Sequence, residues 1–189
     1  MKKVLILVGL LAFCTMAQAQ SFGGKLGINM ASISGSTDAT SKIVFHGGLW
    51  ALFKPTDKFG IMPEVVYSSQ GCGIKGSSAK VNLSYINVPL MFNYYFNENF
   101  FMQAGPQVGF LMSANLEDTG GNTDIKQYMT STDISIGIGA GGQWDKFLLN
   151  ARYNIGMNDV ISDAAYKAAV GLSGTLTNSV IQISLGYKF

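Results

Sequence analysis

Apolar and polar residues alternate along most of this chain with a period of two. The last eleven residues show the alternation clearly, because Ile181, Ile183, Leu185, Tyr187 and Phe189 share one parity and the residues between them are Gln, Ser, Gly and Lys. Successive side chains of a β-strand point to opposite faces, so this period predicts a strand. The same pattern predicts eight strands, at residues 22–30, 43–53, 59–67, 81–96, 100–112, 134–141, 147–157 and 179–189.

The fourth predicted strand departs from strict alternation. Val81, Leu83 and Tyr85 are odd-numbered, whereas its apolar residues from Ile86 to Phe96 are even-numbered. A change of parity turns a strand over unless a bulge absorbs the extra residue. We therefore expect a bulge or bend near Tyr85 and Ile86.

The connections between these strands are alternately short and long. The short turns are residues 55–57, 97–99 and 145–146, and the long polar loops are 32–42, 69–80, 114–130 and 158–178. In an up-and-down barrel this order places all short turns at one rim and all long loops at the other, which is typical of outer-membrane barrels. The predicted fold class is all-β, an eight-stranded antiparallel up-and-down transmembrane β-barrel.

Composition indicates which solvent the apolar face meets. The chain is 48% hydrophobic and 13% charged, against about 25% charged residues in a typical soluble domain. The apolar parity is therefore predicted to face lipid, and the small polar parity to face the inside of a closed barrel. Closure is required because an open sheet edge in hydrocarbon leaves backbone groups unpaired. A soluble lipocalin-like carrier would need the opposite parity, with charges outside and an apolar cavity.

The N-terminus has the features of an export signal. Lys2 and Lys3 precede an apolar segment at residues 4–13, and Ala17-Gln-Ala19 is a small-x-small cleavage site. We predict a signal peptide at residues 1–19 and a barrel domain at 20–189. Thirteen basic residues less these two lysines leaves eleven, against eleven acidic residues, so no nucleic-acid partner is predicted.

Catalytic and metal-binding motifs are weak. The glycines of residues 137–142 alternate within a predicted strand, so they make room for side chains from across the barrel and do not form a nucleotide loop. His46 has Ser41 and Asp38 nearby in the chain, but their spacing specifies no catalytic site, and a hydrogen-bonded lumen or rim histidine is the favoured interpretation. The spacing of the loop acids matches no calcium motif. No catalytic residue, cofactor or metal is predicted.

Three charged residues form the most informative constellation. Lys25, Glu64 and Arg152 lie on the polar parity of three strands, each four to six residues from a periplasmic strand end. The interior of an eight-stranded barrel is just filled by side chains, and buried charges must pair. We expect these residues to form a lumen charge network, with a structural plug favoured over a gate or ion path.

The C-terminal strand predicts an assembly role. Tyr187 and Phe189 end a strand of aromatic and aliphatic residues that resembles the C-terminal signal by which outer-membrane barrels are recognised. Phe189 is expected to pair with the first strand near Phe22. The aromatic residues expected at the two membrane interfaces are Phe59, Tyr67, Tyr94, Tyr95, Phe100, Phe147, Tyr153, Tyr187 and Phe189.

Several stretches resemble the PorT-like small outer-membrane β-barrel family. They are Lys25-Leu-Gly-Ile-Asn29, Pro63-Glu-Val-Val-Tyr-Ser-Ser69, Tyr85-Ile-Asn-Val-Pro-Leu90, Ala104-Gly-Pro-Gln-Val-Gly109 and the C-terminal strand. The resemblance implies an eight-stranded outer-membrane barrel and carries no catalytic residues.

The predicted function is a non-enzymatic integral outer-membrane protein with long extracellular loops that serve binding or adhesion, or an accessory role in assembly or secretion. The alternatives are an outer-membrane enzyme that acts on lipid or peptide at the extracellular rim, and a narrow pore. The expected partners are outer-membrane lipid, the barrel-assembly machinery, and a protein or surface ligand of the loops. A monomer in the bacterial outer membrane is expected.

Overall fold

The computed structural model describes residues 21–189, so the predicted signal peptide at residues 1–19 lies outside the described residues. Nearly all regular structure in this range is β-strand. The strands are β1 (Ser21–Ser34), β2 (Ala39–Thr40), β3 (Lys42–Leu52), β4 (Phe59–Ile74), β5 (Lys80–Tyr95), β6 (Phe100–Asp118), β7 (Gly121–Asp124), β8 (Thr132–Trp144), β9 (Phe147–Gly156) and β10 (Thr177–Lys188).

Eight of these strands close into an antiparallel barrel. The order around the barrel is β1, β3, β4, β5, β6, β8, β9 and β10, and β10 pairs with β1 to complete the circle. Strands that follow one another in the barrel are joined by hairpins, which confirms the predicted up-and-down topology. Closure leaves no unpaired barrel edge, as a sheet surrounded by hydrocarbon requires.

The remaining elements belong to the long loops. β2 pairs with the end of β4, and β7 folds back on the end of β6. A 3₁₀ helix at Lys126–Tyr128 and a short helix α1 at Ala164–Ala169 complete the loops. Within residues 21–189, no helix has the length and apolar character needed to cross a membrane.

The strands are longer than predicted at the end that carries the long loops. β4 continues to Ile74 and β6 to Asp118, although the sequence placed loops at 69–80 and 114–130. The β4 and β5 backbones remain paired up to Gly73 and Lys80. The prediction was wrong there because polar side chains mark the end of the lipid-facing band, whereas backbone pairing continues into water.

The irregularity near Tyr85 is present, but on the neighbouring strand. Ser84 pairs with Ser113 and Tyr85 with Leu111, so the extra residue is Met112 of β6. On β5 the odd-numbered residues from Leu83 to Tyr95 face inward without interruption. A bulge was therefore correctly predicted for this strand pair but wrongly assigned to β5, whose apolar odd-numbered residues Leu83 and Tyr85 belong to an apolar layer inside the barrel.

The outer surface carries a band of large apolar side chains. Leu26 and Ile43 are 72% and 70% exposed, values that only a hydrocarbon surrounding makes favourable. Aromatic rings collect at the rim with the short turns, in the contacts Phe59–Tyr94, Tyr94–Phe96, Phe100–Trp144, Phe147–Tyr187 and Phe22–Phe189. Tyr95 was predicted for this girdle, but it faces inward and is 2% exposed, since its neighbour Tyr94 takes the outward parity.

Candidate functional site

Glu64 lies in the middle of the lumen between two cations. Its carboxylate is 2.5 Å from Lys25 Nζ, while Arg152 Nη1 and Nη2 donate to Oε2 and Oε1 at 3.0 and 2.8 Å. The three side chains come from β4, β1 and β9, and each is almost fully buried. Arg152 Nη2 also donates to Gln103 Oε1 at 3.0 Å. The bidentate contact suits the planar guanidinium, and the pairing offsets part of the desolvation cost.

A polar layer surrounds this network. Asn29 Nδ2 donates to Ser68 Oγ at 3.0 Å, and Gln182 Nε2 donates to Asn29 Oδ1 at 3.1 Å. His46 is 1% exposed, and its Nε2 is 2.7 Å from Ser184 Oγ. Inward parity explains all of these placements. The contact between His46 and Ser184 joins β3 to β10, and nothing in the spacing of the two residues would have revealed it.

An apolar layer fills the lumen at the periplasmic end, below the charges. It consists of Trp50, Leu52, Met62, Met91, Tyr95, Phe101 and Leu148, all 2% exposed or less. Trp50 Nε1 donates to Gly24 O at 3.2 Å, which satisfies the only polar atom of its ring. This layer was not predicted from the sequence. It could have been, because large apolar residues occupy the inward parity beside the short turns.

A second apolar layer closes the opposite end. Leu83, Tyr85, Leu111 and Ala114 point inward from β5 and β6, and loop residues Ile125, Met129 and Val160 pack on them. The loop segments 125–131 and 157–176, which we call the cap, fold over the barrel mouth. Backbone hydrogen bonds hold the segments together: Thr130 N–H donates to Val160 O at 2.8 Å, and Val160 N–H donates to Leu176 O at 2.8 Å.

Aromatic stacking and one carboxylate stabilise the cap. The rings of Tyr128 and Tyr166 stack with centroids 4.2 Å apart. Asp159 accepts from the N–H groups of Ile161 and Leu176 at 3.2 and 3.3 Å and forms an ion pair with Lys167. Burial opposes ionisation of Asp159, but these donors outweigh it and hold the pKa of the carboxyl below its ordinary value.

Replacing Asp159 by Asn is expected to loosen the cap without unfolding the barrel. The partly exposed ion pair is worth at most about 1 kcal/mol, so amide hydrogen exchange of Ile161 and Leu176 should accelerate by up to about fivefold at neutral pH. Asp57→Asn, at the opposite rim, is the control and should leave these amides unchanged.

The same prediction has a pH dependence. Because the pKa of Asp159 is lowered by folding, its contribution is present above the ordinary carboxyl pKa and is lost as the pH falls through the folded value. The ratio of exchange rates between the variant and the wild type should therefore approach one in strong acid. A ratio that stays constant with pH would contradict the role assigned to the charge.

A pocket of about 200 Å³ opens beside the cap, and we call it the outer pocket. Most of its wall is aliphatic, from Ile33, Ile74, Val81, Val160, Ile161, Val170, Leu172 and Leu176, with Ser36 and Asp38 as polar members. The buried free thiol of Cys72 also lines it. Burial raises the pKa of the Cys72 thiol, although the nearby Lys42 opposes the shift. The thiol is therefore protonated at neutral pH.

The glycines of β8 leave room for the charge network. A Cβ atom at Gly137 would lie 2.8 Å from Asn154 Oδ1 and 3.0 Å from Arg152 Cδ. At Gly141 it would lie 2.6 Å from Phe101 Cζ. The close approach of side chains from other strands therefore accounts for these glycines.

Phe189 pairs with the start of β1, as predicted. Its N–H donates to Phe22 O at 3.0 Å, and the two rings make an edge-to-face contact with centroids 5.6 Å apart. Phe189 is 64% exposed, and the Tyr187 ring lies 6.2 Å from it. Both aromatic rings of the proposed assembly signal are thus presented outward at the periplasmic rim.

The residues that the sequence analysis considered for catalysis do not meet. His46 is buried in the middle of the lumen, whereas Ser41 and Asp38 are exposed near the cap. The His46 Nδ1 atom makes no hydrogen bond to any described residue. Between residues 21 and 189, no three His, Cys, Asp or Glu side chains come together as a metal site.

Comparisons with known proteins agree with this architecture. The attachment invasion locus protein Ail of Yersinia pestis is 14% identical with a TM-score of 0.53, and the match covers 89% of this chain and 98% of Ail. Neisserial surface protein A is also 14% identical, with a TM-score of 0.60 and coverage of 89% and 97%. No curated protein is similar enough to match.

The family model described as outer membrane protein beta-barrel domain matches residues 16–162. The chain therefore belongs to the outer membrane protein β-barrel domain family, and it is a transmembrane protein of the bacterial outer membrane.

Proposed function

We propose that this protein is a non-enzymatic binding protein of the outer membrane and that the cap and the outer pocket form its ligand-binding surface. The observation that carries the proposal is the outer pocket, an aliphatic cavity at the outer end beside loops that are joined by backbone hydrogen bonds. Apolar side chains such as Val170, which is 47% exposed, lie there in water beyond the lipid-facing band. Apolar surface in such a position is typical of an interaction site.

The filled lumen favours binding over a pore. The polar layer around Glu64 has apolar layers on both sides, so an ion entering from either end would lose its hydration in an apolar constriction. Several buried amide groups of the polar layer, including those of Asn87 and Asn150, have hydrogen-bonding capacity left over. These amide groups lie between the two apolar layers, so they do not line a continuous polar path between the two ends of the barrel.

Burial of the histidine argues against an enzyme at the extracellular rim. His46 and Ser184 have the separation of a base and a nucleophile, but both are buried in the lumen, and within residues 21–189 no acid accepts a hydrogen bond from the His46 Nδ1 atom. A lipid or peptide substrate at the rim would have no access to this pair.

We further propose that, within the outer-membrane barrel family, this protein belongs to the PorT-like group. Two stretches that carry the resemblance, residues 85–90 and 104–109, lie side by side on β5 and β6, where Pro89 pairs with Gln107 and Val88 with Val108. The two stretches thus form one local unit of the barrel wall in this chain. An accessory role in assembly or secretion would use the same cap surface, and the barrel would act as a monomer.

The test uses alkylation of Cys72 by a small maleimide in the lipid-reconstituted protein at alkaline pH, where a larger fraction of the buried thiol is the reactive thiolate. Water-soluble apolar probes such as indole and cyclohexanol should slow alkylation by occupying the outer pocket. Val170→Asp, which places a charge in the pocket wall, should abolish this protection. Ala168→Asp is the matched control, because this exposed residue of α1 does not line the pocket. Absence of protection in the wild type, or conductance of the wild-type barrel in planar bilayers, would overturn the proposal.

A further inference from the structure

A groove of about 590 Å³ indents the lipid-facing surface where β3, β1 and β10 meet. We call it the Gly24 groove. Leu26, Leu49, Phe147, Leu185 and Tyr187 form its walls, and glycines 24, 48 and 186 contribute to its lining. The groove therefore lies across the seam at which the first and last barrel strands close.

The absence of a side chain at Gly24 produces the indentation. Gly24 pairs with Leu49 on one side and Tyr187 on the other, so it interrupts a row of large outward side chains. Its backbone does not require glycine, since the left-handed glycines of the described chain are at other positions. Among the described residues, a Cβ atom at Gly24 would meet only Phe189 Cζ at 3.6 Å and Gly48 O at 3.9 Å. A side chain would fit, so the groove is open space and not a site of strain.

A cationic rim lies next to the groove. Phe147 and Tyr187 belong to the aromatic girdle at the periplasmic end, and Lys146 Nζ is 5.7 Å from the Tyr187 ring centroid. Lys188 N–H donates to Lys146 O at 2.7 Å, which places a second lysine at the same corner. Asp145 contributes one opposing charge in the same turn. The Lys146 ammonium therefore lies beside Tyr187, one of the wall residues of the groove.

We propose that the Gly24 groove binds one acyl chain of a phospholipid in the periplasmic leaflet, with the lipid phosphate beside Lys146. The apolar walls lie at the depth of the acyl chains, and an unfilled void there would forfeit van der Waals contacts. The cation lies at the depth of the headgroups, where it attracts a phosphate. A lipid held in this way packs across the β1–β10 seam and differs from the lipid that merely surrounds the barrel.

Native mass spectrometry of the full barrel tests this inference. The protein is released from vesicles of phosphatidylethanolamine and phosphatidylglycerol, and the phospholipids that remain bound are counted. Gly24→Leu, which fills the groove, should retain at least about threefold less phospholipid than the wild type. Ala151→Leu is the matched control, because it adds the same bulk to a lipid-facing position on β9 outside the groove. Heat-modifiable migration verifies folding, and Gly24→Ala serves as the milder variant if Gly24→Leu does not fold.

A second experiment distinguishes binding of the acyl chain from binding of the lipid headgroup. When diacylglycerol is added to the vesicles, Lys146→Gln should lower retention of phosphatidylglycerol but leave that of diacylglycerol, which has no phosphate, unchanged. Equal retention by Gly24→Leu and Ala151→Leu would overturn the site and leave only surrounding lipid. An unchanged preference for phosphatidylglycerol in Lys146→Gln would overturn the headgroup contact. A dimer of barrels that disappears with Gly24→Leu would assign the groove to a second copy of the chain instead.

Discussion

Replacing Glu64 by Gln is expected to lower the free energy of unfolding of the barrel by about 3–5 kcal/mol. The substitution keeps the shape of the side chain but removes the one carboxylate that contacts both Lys25 and Arg152. Two buried cations then face each other without a counter-charge. Urea unfolding of the refolded barrel in lipid, followed by the loss of heat-modifiable migration, measures the change.

Removing a cation together with the carboxylate should recover part of this loss. Glu64→Gln combined with Arg152→Met leaves Lys25 as the single unpaired charge of the network, so the double variant should be more stable than Glu64→Gln alone. Adding Lys25→Met should recover more, because no buried charge of the network then remains. Glu98→Gln is the control, since this exposed turn residue should change stability by less than about 1 kcal/mol.

Two outcomes would contradict the structural role of the network. One is a loss for Glu64→Gln no larger than that of the exposed control. The other is a double variant that is less stable than the single. Ion conductance of Glu64→Gln in planar bilayers distinguishes a plug from a gate, and we expect none because the apolar layers above and below the charges remain intact.

Phe189→Ala is expected to reduce the amount of assembled barrel in cells far more than it reduces stability in vitro. The side chain is 64% exposed and leaves no buried cavity when truncated, so its loss removes little beyond the edge-to-face contact with Phe22. Such a contact is worth about 0.5–1.5 kcal/mol. Recognition of the C-terminal strand by the assembly machinery, with Tyr187 as the second aromatic residue, is proposed to account for the larger effect in cells.

Phe147→Ala provides the matched comparison for Phe189. Phe147 is 53% exposed on the same rim, and its ring contacts Tyr187 at a centroid distance of 5.6 Å. Its truncation removes a similar lipid-facing contact but leaves the chain end intact, so cellular assembly should change little. If Phe189→Ala is as damaging after refolding in vitro as in cells, packing and not recognition explains the residue.

Buried charges in the lumen are compatible with a barrel that does not conduct. The charge network stands between two layers of apolar side chains; inward strand residues form the first layer, and inward strand residues together with loop residues form the second. This arrangement withholds water from the charges and makes their mutual pairing the main compensation for burial.

The alternation along the chain determined the eight barrel strands and the face that most of their side chains take. A two-residue period depends only on the backbone geometry of a strand, so it can be read without knowing which strands are neighbours. Inward parity was likewise enough to place Lys25, Glu64 and Arg152 inside the barrel. The pairing of Phe189 with Phe22 followed from the antiparallel closure of the first and last strands.

Only the tertiary structure decided what the inward residues touch. Leu83 and Tyr85 have the inward parity of β5, yet their apolar character suggested a bulge in β5 itself, because the sequence does not reveal that loop residues cover them. The bulge fell at Met112 because register is a property of two strands together. The partnership of Glu64 with both cations, the contact of His46 with Ser184 and the Gly24 groove depend on strands far apart in the chain. Barrel closure and register bring those strands together, and no local pattern specifies the distances that result.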